Sequence, residues 1–304
     1  MRPLHITIRA AGAGVRPRHS FPTSERLPVS VYRLVAFDLD DTLAPSKTAI
    51  DPRMTSLLSE LLRRAEVCVI SGGTIDQFLK QVVTRLSSTS DALLARLHLM
   101  PTCGTQYYRY GDGQWEEVYA EYLTGDEKQR ATDAITGEVA RLDLAATTTW
   151  GPTIEDRGSQ ITFSALGQFA PIDKKAAWDP TGAKKEALRT AVAPLLPDLE
   201  VRSGGSTSID VTRHGIDKAY GMSKLSEITG ISYDEMLFIG DRLDEGGNDY
   251  PVKRLGIHTH AVEGWLDTAE FLDEFLGQEK EPQNMITHPH ISGRRTGNLG
   301  GVRV

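Results

Sequence analysis

Short, largely apolar segments alternate with amphipathic helical patterns along most of this chain, and this alternation constrains the fold more than any other feature. The apolar segments lie at 31–37, 67–70, 97–100 and 236–239, and 256–260 has a similar character. Buried parallel strands are apolar along their whole length because helices cover both faces of their sheet. The alternation predicts an α/β fold: a doubly wound, Rossmann-like parallel-sheet core with helices on both faces.

The helical patterns between these segments carry their own boundary signals. Asp51, followed by proline, predicts an N-cap and the first turn of a helix. Thr74 and Gln77 have the spacing of a capping box, in which each side chain bonds to the other's backbone. Gly230 is expected to end the helix predicted over 218–228.

The pattern changes in the middle of the chain. A predicted hairpin at 106–119, around Gly111-Asp112-Gly113, is followed by helices at 127–142 and 181–196 and by strands at 160–165 and 200–202. Strands and helices mixed in this way predict an α+β domain inserted into the first domain. We expect the core to comprise 31–119 and 209–278, and the inserted cap domain to comprise 120–208.

The charge of the chain is unevenly distributed. The net charge is −7, yet residues 1–30 hold five arginines and one acidic residue, and residues 279–304 are also basic. We expect the first segment to be a flexible extension and the second a disordered tail. The acidic balance argues against nucleic-acid and membrane partners. Two cysteines, Cys68 and Cys103, predict buried thiols and a cytoplasmic protein.

Two aspartates, Asp38 and Asp40, follow directly after the first predicted strand. Ligands of open α/β sheets bind at the carboxyl ends of the strands, so both carboxylates are expected in one site. One carboxylate can act as a nucleophile while the other moves protons, and hard oxygen ligands suit Mg²⁺. Taken alone, the segment is equally consistent with an acidic surface turn.

Two further segments have the chemistry of phosphate binding. Ser71 and Gly72 lie between a strand and a helix, where a hydroxyl and free backbone N–H groups can hold a phosphate. Lys218 lies in the first turn of a helix, where the helix dipole disfavours a cation, so a nearby anion is expected. An ordinary glycine-rich turn and a solvated lysine are the simpler explanations of each segment alone.

A loop at 240–249 adds more carboxylates after the fourth strand. Asp241 is a possible metal ligand, and Asn248 and Asp249 follow a Gly-Gly turn that bends the loop back. Such residues can support a metal ligand from behind. An acidic surface loop is the alternative, and the order of all four segments favours a common site.

Taken in chain order, these segments resemble the haloacid-dehalogenase superfamily of phosphotransferases. The pattern is DxDxT, then a serine, then a lysine, then GDxxxxGGND, and the resemblance spans about 32–276. An insertion between the serine and the lysine resembles the subgroup with a large α/β cap, which includes phosphomannomutase and the sucrose phosphate phosphatases. The resemblance implies a two-domain enzyme whose cap closes over the substrate.

The resemblance also implies a role for each motif residue. Asp38 would be the nucleophile that forms an aspartyl-phosphate, and Asp40 the general acid and then the base. The phosphoryl oxygens would be held by Thr42, Ser71, Gly72 and Lys218. The Mg²⁺ ligands would be Asp38, the backbone carbonyl of Asp40 and Asp241, supported by Asn248 and Asp249. Many relatives have glycine where this chain has Asp41, a slot expected to point out of the site.

The cap resembles that of phosphomannomutase, and the resemblance implies substrate contacts by Arg157, Gln168, Ser208 and Asp210. Gln168 stands where the mutase has a second arginine. A mutase must hold a bisphosphorylated sugar, and bidentate arginines suit that task better than a neutral amide. We therefore expect Mg²⁺-dependent hydrolysis of a sugar phosphate by a monomer or homodimer. A phosphomutase is the first alternative, and a sugar-phosphate-binding regulatory protein without turnover is the second.

Overall fold

A computed structural model describes residues 31–277, which form two sheets with their helices. The flexible extension expected at 1–30 and the disordered tail expected at 279–304 lie outside the described residues. The strands are β1 Leu34–Phe37, β2 Glu66–Ile70, β3 Leu97–Met100, β4 Gln106–Gly111, β5 Gln114–Ala120, β6 Ile154–Asp156, β7 Ile161–Ser164, β8 Leu199–Ser203, β9 Ser208–Arg213, β10 Met236–Gly240 and β11 His258–Ala261.

The helices connect these strands in the alternation that the sequence predicts. They are α1 Pro52–Arg64, α2 Ile75–Gln81, α3 Asp91–Leu94, α4 Gly125–Arg141, α5 Ile172–Trp178, α6 Ala183–Val192, α7 Lys218–Thr229, α8 Tyr250–Arg254 and α9 Trp265–Gly277. The Asp51 side chain accepts a hydrogen bond from Met54 N and caps α1, and Gly230 ends α7 in the left-handed region, as predicted. Among the described helices, none is long and apolar enough to cross a membrane.

The larger sheet has the strand order β11-β10-β1-β2-β3-β4-β5. Its first five strands are parallel, and β4 and β5 form the predicted hairpin, with Asp112 and Gly113 at positive φ as its turn requires. The chain runs from β1 toward β2 on one side and returns to β10 on the other. The carboxyl ends of β1 and β10 are therefore the switch point, where such sheets bind their ligands.

Helices cover both faces of this sheet, which confirms the doubly wound α/β prediction. Val35 and Phe37 point to one face and belong to the same buried cluster as Leu58 of α1. Ala36 points to the opposite face, in the cluster that contains Met222 of α7. The alternation of side chains along β1 thus buries the strand on both sides, and only its carboxyl end is left for a site.

The smaller sheet is antiparallel, in the order β6-β7-β9-β8, and forms the inserted α+β unit. Residues 209–213, which are expected in the core from the sequence, are part of this sheet. Strand β9 pairs with both β7 and β8, and Ile209 and Val211 are buried in the cluster that contains Ile135 of α4. Pairing on both edges thus outweighs the hinge-like sequence, and we propose that the cap comprises 120–213.

Candidate active site

Two of the acidic motifs meet at the switch point of the larger sheet. Asp38 follows β1 and donates its backbone N–H to the carbonyl of Ile239 in β10, at 3.0 Å. Its side chain is buried. Asp241 follows β10, and its backbone N–H donates to the hydroxyl of Thr42 at 3.1 Å. Parallel pairing of β1 and β10 therefore brings together residues that are far apart in the chain.

A buried lysine joins this acidic group. Lys218 opens α7, where the Asp217 side chain caps the helix by accepting from Tyr220 N at 3.0 Å. The Nζ of Lys218 donates to Asp38 Oδ1, and to Asp249 Oδ1 at 2.5 Å. Burial alone would lower the pKa of Lys218, but the two carboxylates outweigh burial and raise that pKa. The anion that the sequence predicts near Lys218 is thus a pair of carboxylates.

Carboxylates outnumber cations in this group. Asp38, Asp241 and Asp249 place oxygens within 4.8 Å of one another, close to the ammonium group of Lys218. Burial raises the pKa of Asp38 to about 7 against the opposing charge of Lys218, and burial and Asp249 raise the pKa of Asp241. A divalent cation would relieve the remaining repulsion, and oxygen donors of this kind fit Mg²⁺.

The loop after β10 brings Asp249 deeper into the site than the sequence predicts. The Asp249 backbone N–H donates to the Arg242 carbonyl, and the Arg242 N–H donates to Asp249 Oδ2, both at 3.1 Å. A Cβ at Gly247 would lie 1.9 Å from that carbonyl oxygen, so the tight loop requires glycine there. Asp249 is fully buried, whereas Asn248 is exposed.

The second aspartate of the first motif has a separate set of partners. Asp40 forms an ion pair with Lys47 at 2.9 Å and accepts from the amides of Gln77, at 3.0 Å, and Gln81, at 3.3 Å. Burial would raise the pKa of Asp40, but Lys47 and Gln81 outweigh burial and lower that pKa. These partners favour the carboxylate form of Asp40, and they differ from the partners of the Lys218 group.

The capping box predicted for Thr74 and Gln77 is wrong. The Thr74 side chain accepts no capping hydrogen bond, and the Gln77 side chain turns toward the site, where it bonds to Asp40 and Lys47. Gln77 and Gln81 are one helical turn apart on α2, which puts both amides on one face. That spacing is the signal that could have identified these two glutamines, whereas Lys47 has no comparable signal in the sequence.

The Ser71 loop lies at the end of β2, beside β1. Ser71 is buried, and its hydroxyl accepts from Gly73 N at 3.3 Å.

Asp41, where many relatives have glycine, has φ 66°, in the left-handed region that glycine enters most readily. Its side chain accepts from Ser46 N at 3.1 Å. Asp41 is exposed, as expected of a slot that points away from the acidic group.

Of the four predicted cap residues, Arg157 makes a direct contact with the core. Its Nη1 donates to the Gly72 carbonyl at 2.7 Å, and its Nε pairs with Glu155 at 2.6 Å. Asp210 is partly buried in the cap sheet and accepts from the Thr162 hydroxyl at 2.7 Å. Burial raises the pKa of Asp210, and the nearby charge of Arg157 opposes this increase.

The other two predicted cap residues, Ser208 and Gln168, make their described contacts within the cap. Ser208 opens β9 opposite Ser164, and Gln168 lies in the loop before α5. The Gln168 backbone carbonyl accepts from Lys175 Nζ at 3.0 Å. No helix is predicted at α5 from the sequence, so the bond between Lys175 and Gln168 is visible only in the structure.

A buried aspartate held by a lysine, at the switch point of a Rossmann-like sheet that carries an inserted cap, is the arrangement of the haloacid-dehalogenase superfamily of phosphotransferases. Comparison with models of protein families identifies the family within this superfamily. Residues 54–278 match the model described as eukaryotic phosphomannomutase, and the chain belongs to that family. It is therefore an enzyme, as expected from the sequence, and the alternative of a binding protein without turnover is set aside.

Curated relatives agree with this assignment. The chain is similar to phosphomannomutase of Schizosaccharomyces pombe, with 25% identity over 225 residues, covering 72% of this chain and 84% of the relative. It is also similar to phosphomannomutase of Spinacia oleracea, with 26% identity over 259 residues, covering 82% of this chain and 97% of the relative. The predicted resemblance to phosphomannomutase is confirmed.

Solved structures agree on the fold. An IMP-bound, N-terminally truncated IMP-nucleotidase of Plasmodium falciparum matches with a TM-score of 0.60 and 15% identity, over 81% of this chain and 68% of that chain. A haloacid dehalogenase-like hydrolase from Bacteroides thetaiotaomicron matches with a TM-score of 0.52 and 15% identity, over 80% and 99%. These likenesses confirm the predicted fold class and leave the substrate to be argued from the site.

Proposed function

We propose that this enzyme is a sugar phosphomutase that moves a phosphoryl group through an aspartyl-phosphate on Asp38. The observation that carries the proposal is the contact of Lys218 with Asp38 Oδ1, at the switch point of the sheet. This contact orients the carboxylate and leaves Oδ2 with one long contact among the described residues, 3.5 Å from the Thr42 hydroxyl. Oδ2 is thus the oxygen available for attack on phosphorus.

The proposed reaction has two halves that share the same atoms. In the first, Asp38 Oδ2 bonds to phosphorus, the P–O bond to the sugar breaks, and Asp40 gives a proton to the departing sugar oxygen. In the second, Asp40 takes a proton from a sugar hydroxyl, whose oxygen attacks the phosphorus and releases Asp38. The lowered pKa of Asp40 in this structure suits the second half, which needs a carboxylate.

Phosphoryl transfer also needs positive charge around the phosphoryl oxygens. Lys218, Thr42, Ser71 and the backbone N–H groups after Gly72 are proposed to hold those oxygens. The proposed Mg²⁺ ligands are Asp38, Asp241 and the backbone carbonyl of Asp40, with Asn248 and Asp249 behind them. Bound Mg²⁺ would offset the charge of the transferred group.

The choice between a mutase and a hydrolase rests on opposing observations. The family and its curated relatives are named for the mutase, which reverses the preference for hydrolysis drawn from the sequence. Hydrolysis stays the second candidate because Gln168 supplies no charge where a mutase needs a grip on a remote phosphate. In that case water replaces the sugar hydroxyl in the second half of the reaction.

One experiment separates these reactions. The purified full chain is incubated with Mg²⁺, a hexose 1-phosphate and a trace of hexose 1,6-bisphosphate, and phosphorus NMR follows both isomer exchange and free phosphate. Exchange that requires the bisphosphate supports the mutase, and phosphate release without exchange supports the hydrolase. If the enzyme shows neither isomer exchange nor phosphate release with any hexose phosphate or other sugar phosphate, the proposal is overturned.

The matched variants of this experiment are Asp38→Asn and Asp41→Asn. Asp38→Asn should abolish both signals, because an amide cannot form the phosphoenzyme. Asp41→Asn should keep them, since Asp41 is exposed and asparagine tolerates its positive φ.

The partner and the location of the enzyme complete the proposal. We propose a small sugar phosphate as the partner, in keeping with the family to which the chain belongs. We propose the cytoplasm as the location, supported by two unpaired thiols: Cys68 is buried, as predicted, and Cys103 is partly buried. The monomer or homodimer stays a prediction.

A further inference from the structure

Three buried hydroxyl groups meet where the cap touches the core. Thr102 and Thr105 belong to the turn between β3 and β4, and Ser159 belongs to the turn between β6 and β7 of the cap. The hydroxyl oxygens of Thr102 and Thr105 are 2.7 Å apart, and those of Thr105 and Ser159 are 2.6 Å apart. Ser159 donates to Thr102 at 3.0 Å, which closes the group into a ring. In this hydroxyl ring, each member can donate to one neighbour and accept from the other.

The core half of the hydroxyl ring supports the Ser71 loop. The Thr102 backbone N–H donates to the Gly73 carbonyl at 3.0 Å, and the Cys103 N–H donates to the Ser71 carbonyl at 2.9 Å. Thr102 and Cys103 have φ of 48° and 56°, a region that residues with a side chain enter at a cost. Contacts must hold such a turn in place, and the Thr105 hydroxyl also bonds to the Thr102 carbonyl, at 2.8 Å. The position of Ser71 thus depends on a strained turn that the hydroxyl ring stabilises.

The cap half of the hydroxyl ring holds the turn that carries Arg157. The buried Gln106 of β4 donates from its amide to the Arg157 carbonyl at 2.6 Å and to the Ser159 hydroxyl at 3.2 Å. Leu123, where the chain enters the cap, donates its backbone N–H to the Gly158 carbonyl at 3.0 Å. Three successive residues of the turn are therefore held from outside it.

The burial of the ring makes its contacts costly to break. Thr102, Thr105 and Ser159 are each at most 2% exposed. Separating the turn from the core would leave buried hydroxyls without partners, and this costs more than an intact hydrogen bond contributes. The ring therefore favours one position of the cap turn on the core. Because Arg157 extends from this turn and Ser71 depends on the core half, the ring sets the two sides of the site relative to each other.

We propose that Thr102, Thr105 and Ser159 are positioning residues for phosphoryl transfer, which fix the Ser71 loop relative to Arg157 of the cap. They act through the backbone of the strained turn and of the cap turn, and none of them is assigned a contact with a reacting atom. This proposal rests on the proposed function, in which the Ser71 loop holds phosphoryl oxygens, and adds to that function a set of residues outside the acidic group.

The test compares Thr105→Val with Thr105→Ser in the full chain. Valine keeps the size and branching of threonine and removes the hydroxyl, whereas serine keeps the hydroxyl and removes a methyl group. Thr105 has φ −75°, which both replacements adopt. We expect Thr105→Val to lower kcat for p-nitrophenyl phosphate by about 10–10²-fold with little change in KM, because a misplacement of about 1 Å can have a cost of this order. Thr105→Ser should retain most of the parent kcat.

Thr212→Val is the matched control. Thr212 lies in β9 of the cap and is buried, and its hydroxyl has no hydrogen-bond partner among the described residues. Removal of this hydroxyl should leave kcat unchanged. Equal kcat in Thr105→Val and Thr212→Val, or an equal loss in Thr105→Val and Thr105→Ser, would overturn the proposal.

Ser159→Ala supplies a second variant in case Thr105→Val does not fold. It removes the cap's member of the ring and leaves Thr102 and Thr105 paired with each other. We expect it to lower kcat by about tenfold, again with little change in KM, because the Ser71 loop keeps its support but loses its fixed relation to the cap turn. A kcat equal to that of Thr212→Val would count against the proposal.

Hydrogen exchange measured by mass spectrometry gives a readout that needs no substrate. Peptides that contain residues 71–73 and 157–160 should exchange faster in Thr105→Val than in the parent protein, and Thr105→Ser should exchange like the parent. Absence of any phosphoryl transfer in the parent protein would reject the proposed function. The exchange comparison would still decide the role of the ring, and unchanged exchange at 71–73 in Thr105→Val would overturn it.

Discussion

Arg157 of the cap donates a hydrogen bond from Nη1 to the carbonyl oxygen of Gly72, 2.7 Å away and 85 residues earlier in the chain. Gly72 follows Ser71 in the loop that is proposed to hold phosphoryl oxygens. The same guanidinium group pairs with Glu155 through Nε, so that its orientation is fixed by contacts at both Nε and Nη1. The position of the cap is therefore linked directly to the position of the phosphate loop.

Breaking this link should impair substrate binding more than folding. We expect Arg157→Met to raise KM for the sugar phosphate by about tenfold or more, because the side chain loses both a charge and its bond to Gly72. The control is Arg141→Met, which removes an exposed arginine of the cap helix α4 that pairs with Glu138. Equal KM values in the two variants, measured by steady-state kinetics, would contradict the proposed role.

Lys218 should matter for stability as well as for turnover. Lys218→Met leaves Asp38 and Asp249 buried without their cation, and breaking a buried ion pair in this way costs about 3–5 kcal/mol. Urea unfolding followed by circular dichroism measures the loss. Lys224→Met, a partly exposed position on the same helix, is the control and should stay within about 0.5 kcal/mol of the parent protein. Similar midpoints for the two variants would count against the prediction.

Because Asp40 is proposed to be the general acid and base, the effect of replacing it on the transfer rate should depend on the leaving group. We expect Asp40→Asn to slow transfer from a sugar phosphate by about 10²–10⁴-fold, the usual contribution of a positioned proton donor. The loss should be smaller with p-nitrophenyl phosphate, whose leaving group departs without a proton. Steady-state rates with both esters measure the contrast, and an equal loss with both would assign Asp40 a purely structural role.

Two helical glycines should respond to alanine in opposite directions. A Cβ at Gly221 of α7 would lie 2.5 Å from Ile70 Cδ1 and 2.7 Å from the Cys103 carbonyl oxygen, so Gly221→Ala should cost about 1–3 kcal/mol. At Gly137 of α4 a Cβ meets nothing within 4 Å, and Gly137→Ala should stabilise by about 0.5–1 kcal/mol. Thermal unfolding compares the two, and stabilisation by Gly221→Ala would be inconsistent with the described packing.

The stability contribution of Glu127 should depend on pH. Glu127 closes a capping box with Thr124, and hydrogen bonds from Arg213 lower its pKa to about 2. Its carboxylate therefore stabilises the fold above its unfolded pKa of 4.5, and that contribution is lost as the pH falls toward 2.

Glu127→Gln tests this dependence. At neutral pH we expect the variant to be about 1 kcal/mol less stable, since a neutral amide replaces an ion pair and part of a cap. The difference should shrink below pH 4.5, where the parent carboxylate begins to protonate. Urea unfolding across this pH range measures it, and a difference that grows on acidification would refute the assignment.

The central group of the site could be predicted because its members follow strands. Asp38 and Asp241 each come directly after an apolar segment, and parallel strands end at one edge of a sheet. The proximity of Asp38 and Asp241 can therefore be predicted without knowing how the loops fold. The extent of Asp249's burial is not visible in the sequence, because it depends on how a glycine turn folds back onto the Arg242 carbonyl.

The remaining differences come from contacts between distant segments. Gln77 has the spacing of a residue in a local helix cap. In the structure its side-chain amide instead donates to Asp40, 37 residues earlier in the chain. The sequence of strand β9 resembles a hinge between the domains. Its pairing with β7 and β8 cannot be predicted from that sequence, because the partners lie in other segments. Helix α5 buries no residue fully, so it has no apolar stripe from which it could be predicted.

The two points at which the chain crosses between core and cap lie against each other. Arg213, at the exit from the cap, donates to the Tyr122 carbonyl near its entrance at 3.0 Å, and Tyr220 donates to Glu121. A domain whose entrance and exit adjoin can be exchanged as a cassette without rerouting the host chain. The chemistry proposed for Asp38 and the proposed choice of sugar should therefore be separable, and a cap from a relative could be grafted between these two points.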